Sequence, residues 1–211
     1  DYPVGGYWLV ALSLRTFGPT PWAARLPVAF AASAVVLATF GLVWWLGGAA
    51  ESPRRRWLRA ALAAGVLATT PAWIGWGRSS TTDMVLASCI SLALYSFVVV
   101  HHARPSGPLA ALGRIGMAFF AGCAVLAKGP VGLLLPVLVL GAFQLLVGGG
   151  LRKLLRPAQR PLPTLAMAAL FLGVVVPWYA AATRVNGMAF LGGFLGFSNL
   201  QRFTSVLYAH P

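Results

Sequence analysis

Apolar residues fill long, nearly uninterrupted stretches of this chain, and the polar residues fall in short groups between them. At 1.5 Å of rise per residue, such stretches are long enough to cross a hydrocarbon core of about 30 Å as helices. The pattern predicts six membrane segments. The first runs from about Trp22 to Leu46 and the second from about Ala60 to Trp76. The third begins beside Asp83 and ends near His101 and His102. Ile115 to Val147 is too long for one ordinary span and is interrupted by Gly129-Pro130, where proline removes a helical donor, so it reads as two helices joined by a tight turn. The sixth lies between about Leu165 and Ala182. Ahead of these, Gly5 to Phe17 is too short to span and ends at Gly18-Pro19; Tyr7, Trp8 and Arg15 suit the headgroup level, so a helix lying along the membrane surface is expected.

Composition agrees with this reading. The chain has 211 residues, 59% hydrophobic and 9% charged, with a mean hydropathy of +0.80, against about a quarter charged in soluble domains. The class is all-α, a polytopic membrane protein, with residues 1–211 forming part of one transmembrane domain. A formal charge of +13 raises the question of nucleic acid, but the placement of the cations excludes it. Ten of the sixteen lie in three alternate loops (Arg54, Arg55, Arg56 and Arg59; Arg104 and Arg114; Arg152, Lys153, Arg156 and Arg160), the mark of membrane topology. Those loops are expected in the cytoplasm, and six crossings then put both ends of the sequence outside. Cys89 and Cys123 lie within apolar segments at no metal-ligand spacing and read as small buried hydrophobes. His101 and His102 fall on the cytoplasmic side and are given no role.

The remaining cations, Arg15, Arg25, Arg78, Lys128, Arg184 and Arg202, belong to the outer side, as do Asp1 and Asp83, two of the three acids. Lys128 stands out, because it interrupts FAGCAVLAKGPVGLLLPVLVL. If Arg114 opens the fourth segment, only 13 residues separate it from Lys128, about 20 Å of helix, which draws the lysine slightly below the outer surface. A charge there costs several kcal/mol unless it is paired or hydrated. It has two readings: a phosphate-binding cation, or a lysine at a helix C-terminus favoured by the dipole and snorkelling outward. Asp83, in SSTTDMVL, is either a helix N-terminal residue suited to the positive dipole end or a site carboxylate. In DYPVGGYW the two glycines suggest close approach of a ligand. In FSNLQRF, Arg202 is either an interfacial snorkel or, with Lys128, a clamp for a lipid-borne phosphate. An anion-binding transporter or flippase component is the alternative, but the midplane stretches carry almost no charge and no internal repeat is seen.

Taken in order, DYPVGGYW, TTDMVL, AVLAKGPVGLLLP, and PWYAAATRVNG with FSNLQRF resemble the motifs of the integral-membrane glycosyltransferases similar to aminoarabinose transferase and protein O-mannosyltransferase (family 39-like). The resemblance implies a GT-C-like fold of many transmembrane helices with small helices on the outer surface. It implies transfer of a sugar from a polyprenyl-phosphate donor to an acceptor lipid, glycan or protein on the extracytoplasmic face of a bacterial-type inner membrane. Carried over to this sequence, Lys128 and Arg202 would bind the donor phosphate, Asp83 would support catalysis, and Tyr7 and Asn199 would contact substrate. Asp1 would match an acidic position that in some relatives touches a divalent metal, the one cofactor the resemblance raises. Two departures stand out: Tyr2 occupies a position where lysine is frequent, and Ser198 and Asn199 stand where many relatives have a histidine. The principal catalytic aspartate of such enzymes precedes the DYPVGGYW motif, so the chain is expected to be a fragment, inactive alone, that lacks an N-terminal span with the first outer loop and a C-terminal part.

Overall fold

The computed structural model describes residues 4–48, 51–147, 161–187 and 190. Among the described residues eight helices follow one another: α1 (Gly5–Phe17), α2 (Pro21–Leu46), α3 (Pro53–Thr69), α4 (Pro71–Gly77), α5 (Thr82–His102), α6 (Pro108–Lys128), α7 (Val131–Leu146) and α8 (Pro161–Asn186). All six expected segments are helical, and the helix expected ahead of them forms α1 with the anticipated bounds. Helices α2, α5, α6 and α8 are each long and apolar enough to cross a membrane, and α3 with α4 adds a fifth span if the bent pair is taken as one. With 16 residues, α7 reaches about 24 Å, short of an average hydrocarbon core.

Local chemistry sets most of the helix ends. Proline occupies the first position of α2, α3, α4 and α6, where its missing N–H costs nothing. Thr20 caps α2, its hydroxyl accepting from the Ala23 amide at 3.4 Å. The second expected segment breaks into α3 and α4 with a 63° bend. Pro71 is the cause, since it cannot continue the ladder, and the Thr69 and Thr70 hydroxyls donate to the carbonyls of Gly65 and Val66, each at 2.7 Å. The start of α6 corrects the sequence reading: the helix begins at Pro108, six residues before Arg114, so its 21 residues span about 31 Å. Shortness of this helix therefore does not set the depth of Lys128.

Helix α6 is the hub, packing on α1, α5, α7 and α8. Small residues make this possible. A Cβ added to Gly113 would lie 2.9 Å from the Ser96 carbonyl oxygen of α5, and one on Gly122 would lie 2.9 Å from Val174 of α8. Close backbone approach through small residues is the main source of helix association in lipid, where the solvent offers no hydrophobic drive. Antiparallel α5 and α6 bring Asp83 and Lys128 to one end, while Phe143 of α7 meets Phe97 and His101 of α5 at the other. That other end carries Arg54, Arg55, Arg56 and Arg59 at the α2–α3 elbow and Arg104 and Arg114 at the α5–α6 turn. The main buried cluster, Val28, Ala32, Met84, Val85, Leu86, Ala124 and Ala127, sits at the Lys128 end.

Candidate active site

The site is built where α5 begins and α6 stops. Met84, Val85 and Leu86 follow Asp83 into the core, and Ala124 and Ala127 precede Lys128 into the same core, so both charged residues emerge from the best-packed part of the protein. The Lys128 ammonium donates to the Asp83 carboxylate, forming an ion pair between residues 45 positions apart. The pair is partly open, with side chains 28% exposed for Lys128 and 43% for Asp83. Thr81, at the N-cap of α5, makes no side-chain capping bond, and the carboxylate of Asp83 is engaged across the helix interface.

The turn after Lys128 is fixed by glycine and proline. Gly129 has φ 82° and ψ −154°, a conformation that L side chains rarely adopt, and its amide donates to the Val125 carbonyl at 2.7 Å. Pro130 opens α7, and Gly132 then lies against the backbone of Ala124 and Val125, where any Cβ would overlap. The Lys-Gly-Pro-Val-Gly stretch is thus a tight hairpin that holds Lys128 at its apex.

The glycines of DYPVGGYW serve a different purpose from the expected ligand approach. A Cβ on Gly5 would lie 2.8 Å from the Leu126 carbonyl oxygen, and one on Gly6 would lie 2.9 Å from the Thr82 methyl. They admit α1 against the last turn of α6 and the first residue of α5, immediately beside the ion pair. On the other flank, the Ser80 hydroxyl donates to the Ala24 carbonyl at 3.1 Å and the buried Ser13 hydroxyl to the Ala23 carbonyl at 2.6 Å, tying α1 and the α4–α5 turn to the start of α2. Tyr7 is exposed, one residue beyond this contact, and makes no hydrogen bond to the pair among the described residues. Asp1, Asn199 and Arg202 lie outside the described residues, as do Tyr2 and Ser198. Among the described residues no group of three His, Cys, Asp or Glu side chains is placed to hold a metal ion.

Two cavities lie along α8, and the first reaches the hairpin. One, of about 550 Å³, is lined almost wholly by apolar side chains: Val125 of α6, Pro130 at the hairpin, Leu133 and Val137 of α7, and Phe171 and Tyr179 of α8. Pro130, in its lining, is two positions from Lys128 in sequence. The second, of about 540 Å³, follows α8 through Val175, Tyr179 and Thr183 to Arg184. Tyr179, common to both, has no role in the sequence reading. Its signal was the Pro-Trp-Tyr at the end of the last apolar segment, five residues before Arg184.

Residues 1–180 match the family model described as dolichyl-phosphate-mannose-protein mannosyltransferase. The chain belongs to this family. It is 32% identical over 139 residues to the undecaprenyl phosphate-alpha-4-amino-4-deoxy-L-arabinose arabinosyl transferase of Pectobacterium carotovorum subsp. carotovorum (strain PC1), an alignment covering 65% of this chain and 23% of that protein. Apo ArnT from Cupriavidus metallidurans superposes with a TM-score of 0.77 at 25% identity, over 96% of this chain and 35% of that one. The structure of ArnT from Cupriavidus metallidurans bound to undecaprenyl phosphate gives 0.75 at 26% identity, over 97% and 35%. The chain therefore spans about a third of the solved relatives and less of the curated one. The family and the all-helical GT-C-like fold expected from the four motifs are both borne out.

Proposed function

We propose that this chain forms the donor-phosphate part of a membrane glycosyltransferase that moves a sugar from a polyprenyl-phosphate carrier to an acceptor on the extracytoplasmic face. One observation carries the reading: a lysine paired with an aspartate at the apex of a tight hairpin whose Pro130 lines an apolar cavity. A polyprenyl-phosphate sugar has the matching form, an anionic phosphate at the membrane boundary with an isoprenoid tail lying among apolar helices. ArnT bound to undecaprenyl phosphate, and the arabinosyl transferase named for the same carrier, supply the analogy for the donor.

In this mechanism Asp83 neutralises Lys128 in the empty site, which lets a cation stay at the edge of the hydrocarbon without the cost of an unpaired charge. The donor phosphate then takes a second N–H of the ammonium while the carboxylate keeps its own, so Asp83 aims Lys128 at the phosphate throughout. A sugar phosphodiester carries one negative charge; as the glycosidic C–O bond breaks, the departing lipid phosphate acquires a second. A fixed ammonium gains more from the later state than from the earlier one, so Lys128 lowers the barrier instead of only tightening binding. Arg202 supplies a second cation to the same phosphate. Tyr7 and Asn199 would contact the sugar or acceptor, and Asp1 would be the ligand for a divalent metal if one takes part. Membership of a glycosyltransferase family favours this reading over an anion permease.

The test uses the full-length protein. Lys128→Ala should lower sugar transfer by about 10² to 10³-fold with normal membrane insertion, the loss expected when a donor to a developing oxyanion is removed, and Asp83→Asn should also abolish transfer. Full activity in both variants would remove the assignment. Single cysteines at Ser80 and Ser106 should react with an impermeant thiol reagent from opposite sides, Ser80 from outside; labelling of both from one side would overturn the orientation.

A further inference from the structure

The end of the molecule away from Lys128 carries a second organised cluster of charge. Arg56 donates to the Trp44 carbonyl at 3.1 Å, with its guanidinium 5.2 Å from the centroid of the Trp44 ring. Arg59 donates to the Val43 carbonyl at 3.2 Å and pairs with Glu51 at 3.1 Å. Gly47 permits this fold of the elbow, because a Cβ there would lie 2.8 Å from Arg56 Nε and 2.9 Å from the Arg59 guanidinium. Two arginines are thereby fixed, and Arg56 Nε is buried without an acceptor. Beside them Arg54 and Arg55 are exposed and bond to no described residue.

This arrangement is unfavourable as it stands. Arg54, Arg55 and Arg56 occupy the first turn of α3, where the helix dipole disfavours cations, no acid accompanies them in that turn, and Ser52 offers no capping bond. Glu51 offsets one of the four arginines. An anion from outside the chain would offset the rest, and the surface next to the cluster suits one kind of anion. Leu58, Leu62 and Val66 repeat at four-residue spacing on α3 and are 43%, 67% and 68% exposed, with Trp57 exposed at the same end. An apolar stripe that leads out of an arginine cluster suits an acyl chain below a phosphate, and basic pockets at helix ends recognise anionic headgroups in this way.

We propose that the α2–α3 elbow is a binding site for an anionic phospholipid of the surrounding bilayer, its phosphate held by Arg54 and Arg55 beside the fixed Arg56 and an acyl chain lying along Leu58, Leu62 and Val66. The site is separate from the donor site and does not depend on the proposed activity. Guanidinium forks suit phosphate through paired donors, and holding two of the four arginines in advance reduces the ordering cost of the complex.

The test is native mass spectrometry of the purified full-length protein equilibrated with phosphatidylglycerol and phosphatidylcholine in equal amounts. The wild type should retain phosphatidylglycerol selectively. Arg54→Gln/Arg55→Gln should lower that retention by at least about tenfold, while Arg104→Gln/Arg114→Gln, which removes the same charge at the same end, should leave it within about twofold. Leu62→Ser/Val66→Ser should weaken retention at unchanged charge. Equal losses in the two arginine pairs, or unchanged retention in the first, would overturn the proposal. So would inorganic phosphate raising the melting temperature as much as phosphatidylglycerol does, since the site would then be one for a soluble anion.

Discussion

The two ends of this helical bundle hold their cations by different means. At the α2–α3 elbow, Arg56 and Arg59 bond to carbonyls 12 and 16 residues away, and Arg59 pairs with Glu51 on the same elbow. Lys128 is paired with Asp83, 45 residues away on another helix. The elbow is chain-local and polar; the Lys128 end rests on the main buried cluster and on glycines pressed against neighbouring backbone. At the elbow, bonds within one turn of the chain are enough to hold Arg56 and Arg59 while Arg54 and Arg55 stay exposed. The position of Lys128 is set instead by rigid elements packed on each other.

Substitutions should separate the ends in that order. The largest effect is expected at Gly132→Ala, because the added methyl would overlap the backbone of Ala124, which cannot turn aside as a side chain can. A loss of roughly 3 kcal/mol is expected, at the upper end for overpacking, read as a fall in melting temperature of the solubilised protein. Gly5→Ala should follow at about 1–2 kcal/mol, since its methyl meets the Leu126 carbonyl, with Gly6→Ala below about 1 kcal/mol because the Thr82 methyl it meets can rotate. Equal tolerance of all three glycine variants would break the comparison by showing that this end is not tightly packed. The smallest effect belongs to the exposed elbow, where Glu51→Gln should cost about 0.5 kcal/mol or less, given an Arg59 side chain 48% exposed. A melting temperature lowered as much by Glu51→Gln as by Gly5→Ala would reverse the assignment of rigidity.

Much of the fold was legible because lipid imposes a simple rule on sequence. Every backbone polar group must be satisfied internally, so long apolar runs become helices, and the punctuation between them is proline, glycine and charge. Thr82–His102 and Gly5–Phe17 appear where the pattern put them. The start of α6 escapes the sequence pattern because Arg114 looks like a boundary cation. The structure runs the helix through it, the guanidinium donating back to the Pro105 carbonyl at 3.2 Å. Lys128 and Asp83 were legible as two of the few ionised groups assigned to the same side, each with a helix-terminal reading beside a functional one; their pairing was not. The function of Gly5 and Gly6 was not, because a glycine states only that something comes close, without saying whether it is a ligand or a helix.

The sequence by itself determined the helical class, the segments, the turn at Gly129-Pro130 and the family, since these depend on local periodicity, on the steric limits of proline and on short motifs. Tertiary structure alone decided that Asp83 is the partner of Lys128, that α1 seals the same corner through Gly5 and Gly6, and that an apolar cavity opens at the hairpin. Those facts depend on which helix faces which, and in a bilayer that choice is made by complementary small-residue surfaces whose match no single segment contains.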